Sequence, residues 1–400
     1  MKGIHGKVED LQDIRKLLTL SYLWLNRLID AEQGQKWLRE RAASPDLELD
    51  FDPDFINEYF KLSQTQQARW YGLDKPQAVR SRLQSWSEYC VKEAIQLISL
   101  MSPLYPPGLK TIDSPPLVLY VKGEGWKKFL TAPASLTVVG ARNCTPYGLS
   151  CTSRLVRPLA AAGCCIVSGL ARGIDGQAHA AALAARGMTI AVLPGGIDVC
   201  YPAEHRRLYQ QIQQQGAVIS EQWPGTRPQR FCFAARNRLL SGLAQATLVI
   251  ESSQRSGTLI TVDHALRQGR EVMAVPGNIY SPLSVGTNQL IKEGAIPVTG
   301  VQDIWNPKSI KNIQVTLAER WGGLHFKQAA VRVQDPLQAA VNRHRLNHDQ
   351  SRLLAILSAE PLDFTAITQL DFVQGQAQQL LFDLECRGLI QLYRGKYIVK

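Results

Sequence analysis

The chain has 400 residues, 45% of them apolar and 20% charged, the balance of a globular protein with room for two or three domains. Its net charge of +11 is uneven: Lys and Arg minus Asp and Glu gives −1 over residues 1–100, +9 over 101–300 and +3 over 301–400. A positive excess held in one segment suits a polyphosphate partner, the plain alternative being a charge that serves solubility.

The first seven residues, Met1 to Lys7, run into Glu9, Asp10 and Asp13 with no apolar stretch between, so no secretory leader is expected. No run of about 18 apolar residues suggests a membrane span. The eight cysteines include no C-x-x-C pair, and reduced thiols in a cytoplasmic protein are the simplest reading. Residues 1–102 read as a helical domain. Leu17, Leu20, Leu23-Trp24 and Leu28 recur near the helical period, and a second helical run spans about Val79–Met101. Pro103, Pro106-Pro107-Gly108 and Pro115-Pro116 then mark turns.

Residues 103–305 read as a doubly wound, Rossmann-like parallel α/β domain. Strands are expected at 136–140, 164–169, 189–195, 217–220, 246–252 and 271–277, with helices near 146–162, 175–186, 203–215, 234–243 and 258–268. The strands are continuous apolar runs, as a sheet covered on both faces requires. Strands alternating with helices predict parallel pairing, and the Gly, Arg and Asn residues cluster after strand C-termini, where such sheets bind ligands. Residues 306–345, with Pro307, Gly322-Gly323 and Pro336, read as a linker. Residues 346–400 read as three helices and a hairpin, a small winged helix.

Four segments carry candidate chemistry. Gly140-Ala141-Arg142-Asn143 follows the first strand and leads to Pro146, a natural first helical residue; its backbone N–H groups favour an anion, and Arg142 adds a planar fork. The plain alternative is a βα turn with a surface Arg. Gly169-Leu170-Ala171-Arg172-Gly173 repeats the arrangement, with Asp175 as a cap and His179 read as a packed residue. Gln222–Arg238 mixes Trp223, Phe231 and Phe233 with Arg227, Arg230, Arg236 and Arg238 around Asn237, the usual composition of a platform for unpaired bases, although such aromatics also pack into cores. Ser256-Gly257-Thr258 offers a further anion nest, and Asn278 ends the sixth strand. Glu251 and Asp263 flank that nest and read as capping or solvated groups. No metal-ligand cluster or Walker sequence appears, and no metal or cofactor is expected.

VGARNCTPYG (139–148), SGLARGIDGQAHAAAL (168–183), IDVCYPAEHRRL (197–208), RNRLLSGL (236–243), RSGTLIT (255–261), AVPGNI (274–279) and GTNQLIKEGA (286–295) stand in this order. Together they resemble the DNA processing protein A family, also called DprA or Smf. The resemblance implies a non-enzymatic protein that binds and protects single-stranded DNA, forms a homodimer and helps load the recombinase RecA, in natural transformation and homologous recombination. It also implies DNA contacts at Arg142 and Arg172. The sequence departs from the family's usual pattern at Ala141, Arg172 and Ala234, where Ser or Thr, Lys and Pro are common. The alternative is a nucleotide phosphoribohydrolase of the lysine-decarboxylase-like group, which shares a Pro-Gly-Gly turn. Here Pro194-Gly195-Gly196 is followed by Ile197-Asp198-Val199, without the Gly-Thr-x-x-Glu that carries that chemistry.

Overall fold

A computed structural model describes residues 11–44, 47, 49, 51–71, 76–304, 346–359, 362–373, 375–393 and 395–399. The expected linker, 306–345, lies outside the described residues. Among the described residues five helices come first: α1 (Leu11–Leu25), α2 (Ala31–Ala43), α3 (Pro53–Phe60), α4 (Gln64–Tyr71) and α5 (Pro76–Lys92). Asp30 starts α2 with a complete capping box to Gln33, and Asp52 caps α3 ahead of a first-turn proline. Among the described residues no helix is long and apolar enough to cross a membrane.

The second helical run stops short of its expected end. The α5 helix ends at Lys92, Ala94 turns to φ 52°, and β1 (Gln96–Ser99) pairs antiparallel with β2 (Val118–Lys122). Between and after them lie the short helices α6 (Pro107–Lys110) and α7 (Trp126–Leu130). The boundary expected at residue 102 therefore falls inside the sheet. The N-terminal helices also share the sheet's core: Leu18, Leu20 and Leu23 of α1 join Leu119 and Val121 of β2 in one buried cluster. Buried Tyr120 donates to Ser21 at 2.7 Å, and a Cβ at Gly34 would stand 2.1 Å from Leu117. Glycine lets α2 approach that closely.

The chain then alternates β3 (Ala134–Val139), α8 (Pro146–Ala161), β4 (Cys164–Ser168), α9 (Ile174–Ala184), β5 (Thr189–Val192), α10 (Arg206–Gln215), β6 (Ala217–Ser220), α11 (Arg230–Leu243), β7 (Ala246–Val249), α12 (Gly257–Arg267), β8 (Glu271–Ala274), α13 (Val285–Lys292), β9 (Ile296–Pro297) and α14 (Val301–Ile304). Among the described residues, nine strands form one sheet in the order β1-β2-β6-β5-β4-β3-β7-β8-β9. Pairing is parallel from β6 to β9, while β2 joins β6 antiparallel. The strand order reverses between β3 and β7, which makes that the topological switch point.

Alternate residues explain the continuous apolar runs. Leu136, Val138, Cys164, Ile166 and Leu248 pack into a cluster with Leu155 and Val156 of α8 and Ala178 of α9. Val139, Cys165, Val167 and Val249 point the other way, into the cluster shared with Leu239 of α11, Val262 of α12 and the N-terminal helices. Both faces are buried, so most positions in either register are apolar, and buried hydroxyls such as Thr137 and Ser168 donate to backbone carbonyls.

The last described segment has three helices, α15 (His348–Ala359), α16 (Phe364–Thr368) and α17 (Ala377–Cys386), followed by the antiparallel pair β10 (Ile390–Tyr393) and β11 (Lys396–Val399). Leu353, Leu354, Ile367, Leu380, Leu384 and Ile390 close a core of their own.

Candidate nucleic-acid interface

The loops after β3 and β4 touch. Gly173 has φ 71°, and a Cβ there would stand 2.3 Å from the Ala141 carbonyl, which accepts from Ile174 N. At Gly140 a Cβ would press on Ile174, 2.6 Å away. Only glycine lets the two backbones meet this closely. Arg142 and Arg172 project from this joint and are both exposed.

Arg142 lies over the ring of Phe233, 4.7 Å from its centroid, and the ring of Tyr201 meets Phe233 edge-on at 5.6 Å. Tyr201 is 44% exposed. Arg172 makes a two-point contact with Glu204 through Nε and Nη2, the second at 2.8 Å. Two guanidinium groups thus flank an aromatic pair. Tyr201, Glu204 and His205 lay within a matched motif, but nothing local in the sequence gave them roles, because their partners are 30 or more residues away.

The switch point itself is filled from within. Glu251, following β7, accepts from Thr145 N at 2.9 Å and from the Thr145 hydroxyl, at the start of α8. Thr145 in turn caps α8 by accepting from Gly148 N. A Cβ at Gly148 would stand 2.4 Å from Glu251 Oε2. The helix N-terminus that an external phosphate would use therefore already holds a carboxylate. Glu251 is the capping group the sequence suggested, and burial pushes its carboxyl above the usual range. Asp263, its expected companion, pairs with Arg267 at 3.0 Å on the surface of α12.

The 236–238 triplet corrects a sequence expectation. Arg236 is 5% exposed; it donates to the Gly169 carbonyl at 2.8 Å and to the Val192 carbonyl. A Cβ at Gly169 would stand 2.2 Å from its Nη1. Burial lowers its pKa to about 10, and nearby Asp175 opposes the shift. Its guanidinium braces β4 and β5 from beneath and has no surface to offer DNA. Asn237 is also buried and donates to the Gly257 carbonyl at 3.3 Å. Arg238 is committed to Glu221, at 2.6 and 2.7 Å, and to the Ser114 carbonyl. Asp175 does not cap α9 either. Its Oδ2 accepts from Gly169 N at 3.2 Å, and Gly173 stands at the cap position. Trp223 meets Tyr22 edge-on at 5.3 Å, on the side of the N-terminal helices.

Ser256 caps α12 by accepting from Thr258 N, Thr258 is buried, and Gly257 is exposed beside Asn237. Asn278 is exposed and uses its side chain to accept from Tyr280 N at 2.9 Å. These four lie past β7 and β8, on the other side of β3 from Arg172. The Pro-Gly-Gly turn after β5 has a packing role. A Cβ at Gly195 would stand 2.7 Å from the Thr226 carbonyl, and one at Gly196 would stand 2.8 Å from Gly225 N, which donates to Asp198.

The family model described as DNA recombination-mediator protein A matches residues 96–308, beginning at the first residue of β1. The DNA processing protein DprA of Bacillus subtilis (strain 168) is 40% identical over 225 residues, which are 56% of this chain and 75% of that protein. Its Streptococcus pneumoniae namesake (strain ATCC BAA-255 / R6) is 42% identical over 206 residues, 52% of this chain and 72% of that one. The X-ray structure of DNA processing protein A from Streptococcus pneumoniae superposes with a TM-score of 0.58 at 34% identity, covering 74% of this chain and 97% of that one. The mixed α/β architecture with a mostly parallel sheet is therefore shared with that protein, and the chain belongs to the DNA recombination-mediator protein A family.

Proposed function

We propose that the chain binds single-stranded DNA along the edge formed by the loops after β3, β4 and β5. The observation that carries this reading is the grouping of Arg142 and Arg172 around Phe233 and Tyr201. Guanidinium forks suit phosphates, and the exposed ring of Tyr201 beside half-buried Phe233 suits unstacked bases, so the site selects single strands over duplexes. The +9 balance of residues 101–300 adds attraction along the backbone. Gly140, Gly169 and Gly173 serve the site by letting the loops meet. Ser256, Gly257 and Asn278 would extend the track past β7, whereas buried Thr258 lies beneath it.

Membership of a recombination-mediator family supports a wider role. The bound strand is protected and handed to the recombinase RecA during natural transformation and homologous recombination, by a homodimer acting in the cytoplasm. Residues 346–400 form a winged helix behind the 306–345 segment and lie outside the primary site. The activity is binding, without turnover.

Arg142→Ala and Arg172→Ala are expected each to weaken binding of a single-stranded oligonucleotide. Removing a side chain that neutralises one phosphate lowers the salt slope of log K by about 0.7. A folded double variant that binds with unchanged affinity and slope contradicts the reading.

A further inference from the structure

The segment after β5 reaches back over the β4 loop. Ala203–His205 is a single 3-10 turn leading into α10. It touches the loop after β4 at two points, and a third contact joins Tyr201 to Phe233. The Glu204 carboxylate accepts from Nε and Nη2 of Arg172, with the two side chains 51% and 62% exposed. That side-on contact leaves the outer N–H groups on Nη1 and Nη2 facing away from the carboxylate, still a parallel fork.

His205 holds the backbone of the same loop. Its Nδ1 lies 2.9 Å from the Leu170 carbonyl, which can only accept, so Nδ1 carries the proton. Leu170 is buried and sits at φ 55°, a left-handed conformation that a branched-chain residue adopts only when its surroundings enforce it. Room for the imidazole is provided on α9, where a Cβ at Gly176 would stand 2.7 Å from His205 Cε1. The peptide plane fixed by this bond is two residues from Arg172. No contact from the turn reaches Arg142 among those described; its ring partner is Phe233.

We propose that His205 is a positioning residue for DNA binding: its Nδ1–H locks the Leu170 carbonyl and so aims the backbone that carries Arg172, whose fork Glu204 then orients. The inference rests on the single-stranded-DNA reading of this edge. Arg172 is aimed at the phosphate track by a neighbouring loop, because its own loop is held in a strained backbone with no repeating hydrogen bonds. His205 touches no DNA itself.

The test measures binding of a single-stranded oligothymidylate to the full chain carrying His205→Ala or His205→Asn, each alone and combined with Arg172→Ala or Arg142→Ala. Thermal unfolding confirms that each variant is folded. Asn carries its amide nitrogen on Cγ, as His carries Nδ1, and can donate to the same carbonyl. The expected result is an affinity loss of about fivefold for H205A and about twofold or less for H205N. H205A should cost nothing further in the R172A background and its full factor in the R142A background, since only Arg172 depends on it. Three results overturn the inference while R172A itself still weakens binding: H205A matching the wild type, H205A costing the same factor in both backgrounds, or H205N binding as poorly as H205A. A folded R172A that binds as the wild type removes the reading of the edge, and this inference with it.

Discussion

Arg236 and Phe233 are one turn apart on α11, yet one side chain is sealed against the sheet and the other stands beside Arg142. A run of Arg-Asn-Arg reads as surface because arginine is almost never buried without partners. The partners that overturn that reading, the carbonyls of Gly169 and Val192, belong to the ends of two other strands. Local sequence carries no sign of them. Arg142 was legible because its cue is local: a basic residue between a strand's last apolar residue and a helix-starting Thr-Pro. Arg236→Ala is therefore expected to act on folding. It leaves two buried carbonyls short of donors and Asp175 without its nearest countercharge, at a cost of about 3 kcal/mol in urea unfolding. A variant of undiminished stability that loses DNA affinity would restore Arg236 to the interface.

The strands from β3 to β8 are legible because buried faces on both sides demand mainly apolar runs, broken only by Ser and Thr and by Glu271 at the start of β8. The strand β1 is not. Its four residues follow a helix with apolar residues at helical spacing, and only pairing with β2 makes them a strand. His179 on α9 shows the same dependence on neighbours. The Thr189 hydroxyl of β5 donates to the Ile166 carbonyl of β4, so it accepts from His179 Nδ1, 2.7 Å away. Full burial lowers the imidazole pKa from 6.5 to about 3. The unfolded chain takes up this proton first as pH falls. Folding with a neutral imidazole in this dry site therefore keeps its full stability above the unfolded value of 6.5 and loses it progressively between there and about pH 3. The total at stake is on the order of 5 kcal/mol. Unfolding midpoints from pH 7 to pH 4 are expected to drop less steeply for His179→Gln than for the parent chain. Parallel slopes would mean that His179 titrates alike in the folded and the unfolded chain, against a lowered pKa.

Across the whole molecule, three features lead to one edge. The positive balance sits on residues 101–300, the glycines at 140, 169 and 173 bring two loops together, and the switch-point crevice is closed by Glu251. Closing the crevice leaves the open ground on the β4 and β5 side, where Arg172 and the Tyr201–Phe233 pair lie. The sequence alone shows the charge and the loops. It does not show the internal carboxylate, because a Glu after a strand reads equally as a surface group. The most direct test of the central claim compares single-stranded with duplex oligonucleotides of equal length, titrated with the full chain over a salt series. The exposed Tyr201 ring beside Phe233 and the two guanidinium forks predict tighter binding of the single strand at every salt concentration, with affinity falling as salt rises. Equal or tighter binding of the duplex, or no binding of either, would contradict it.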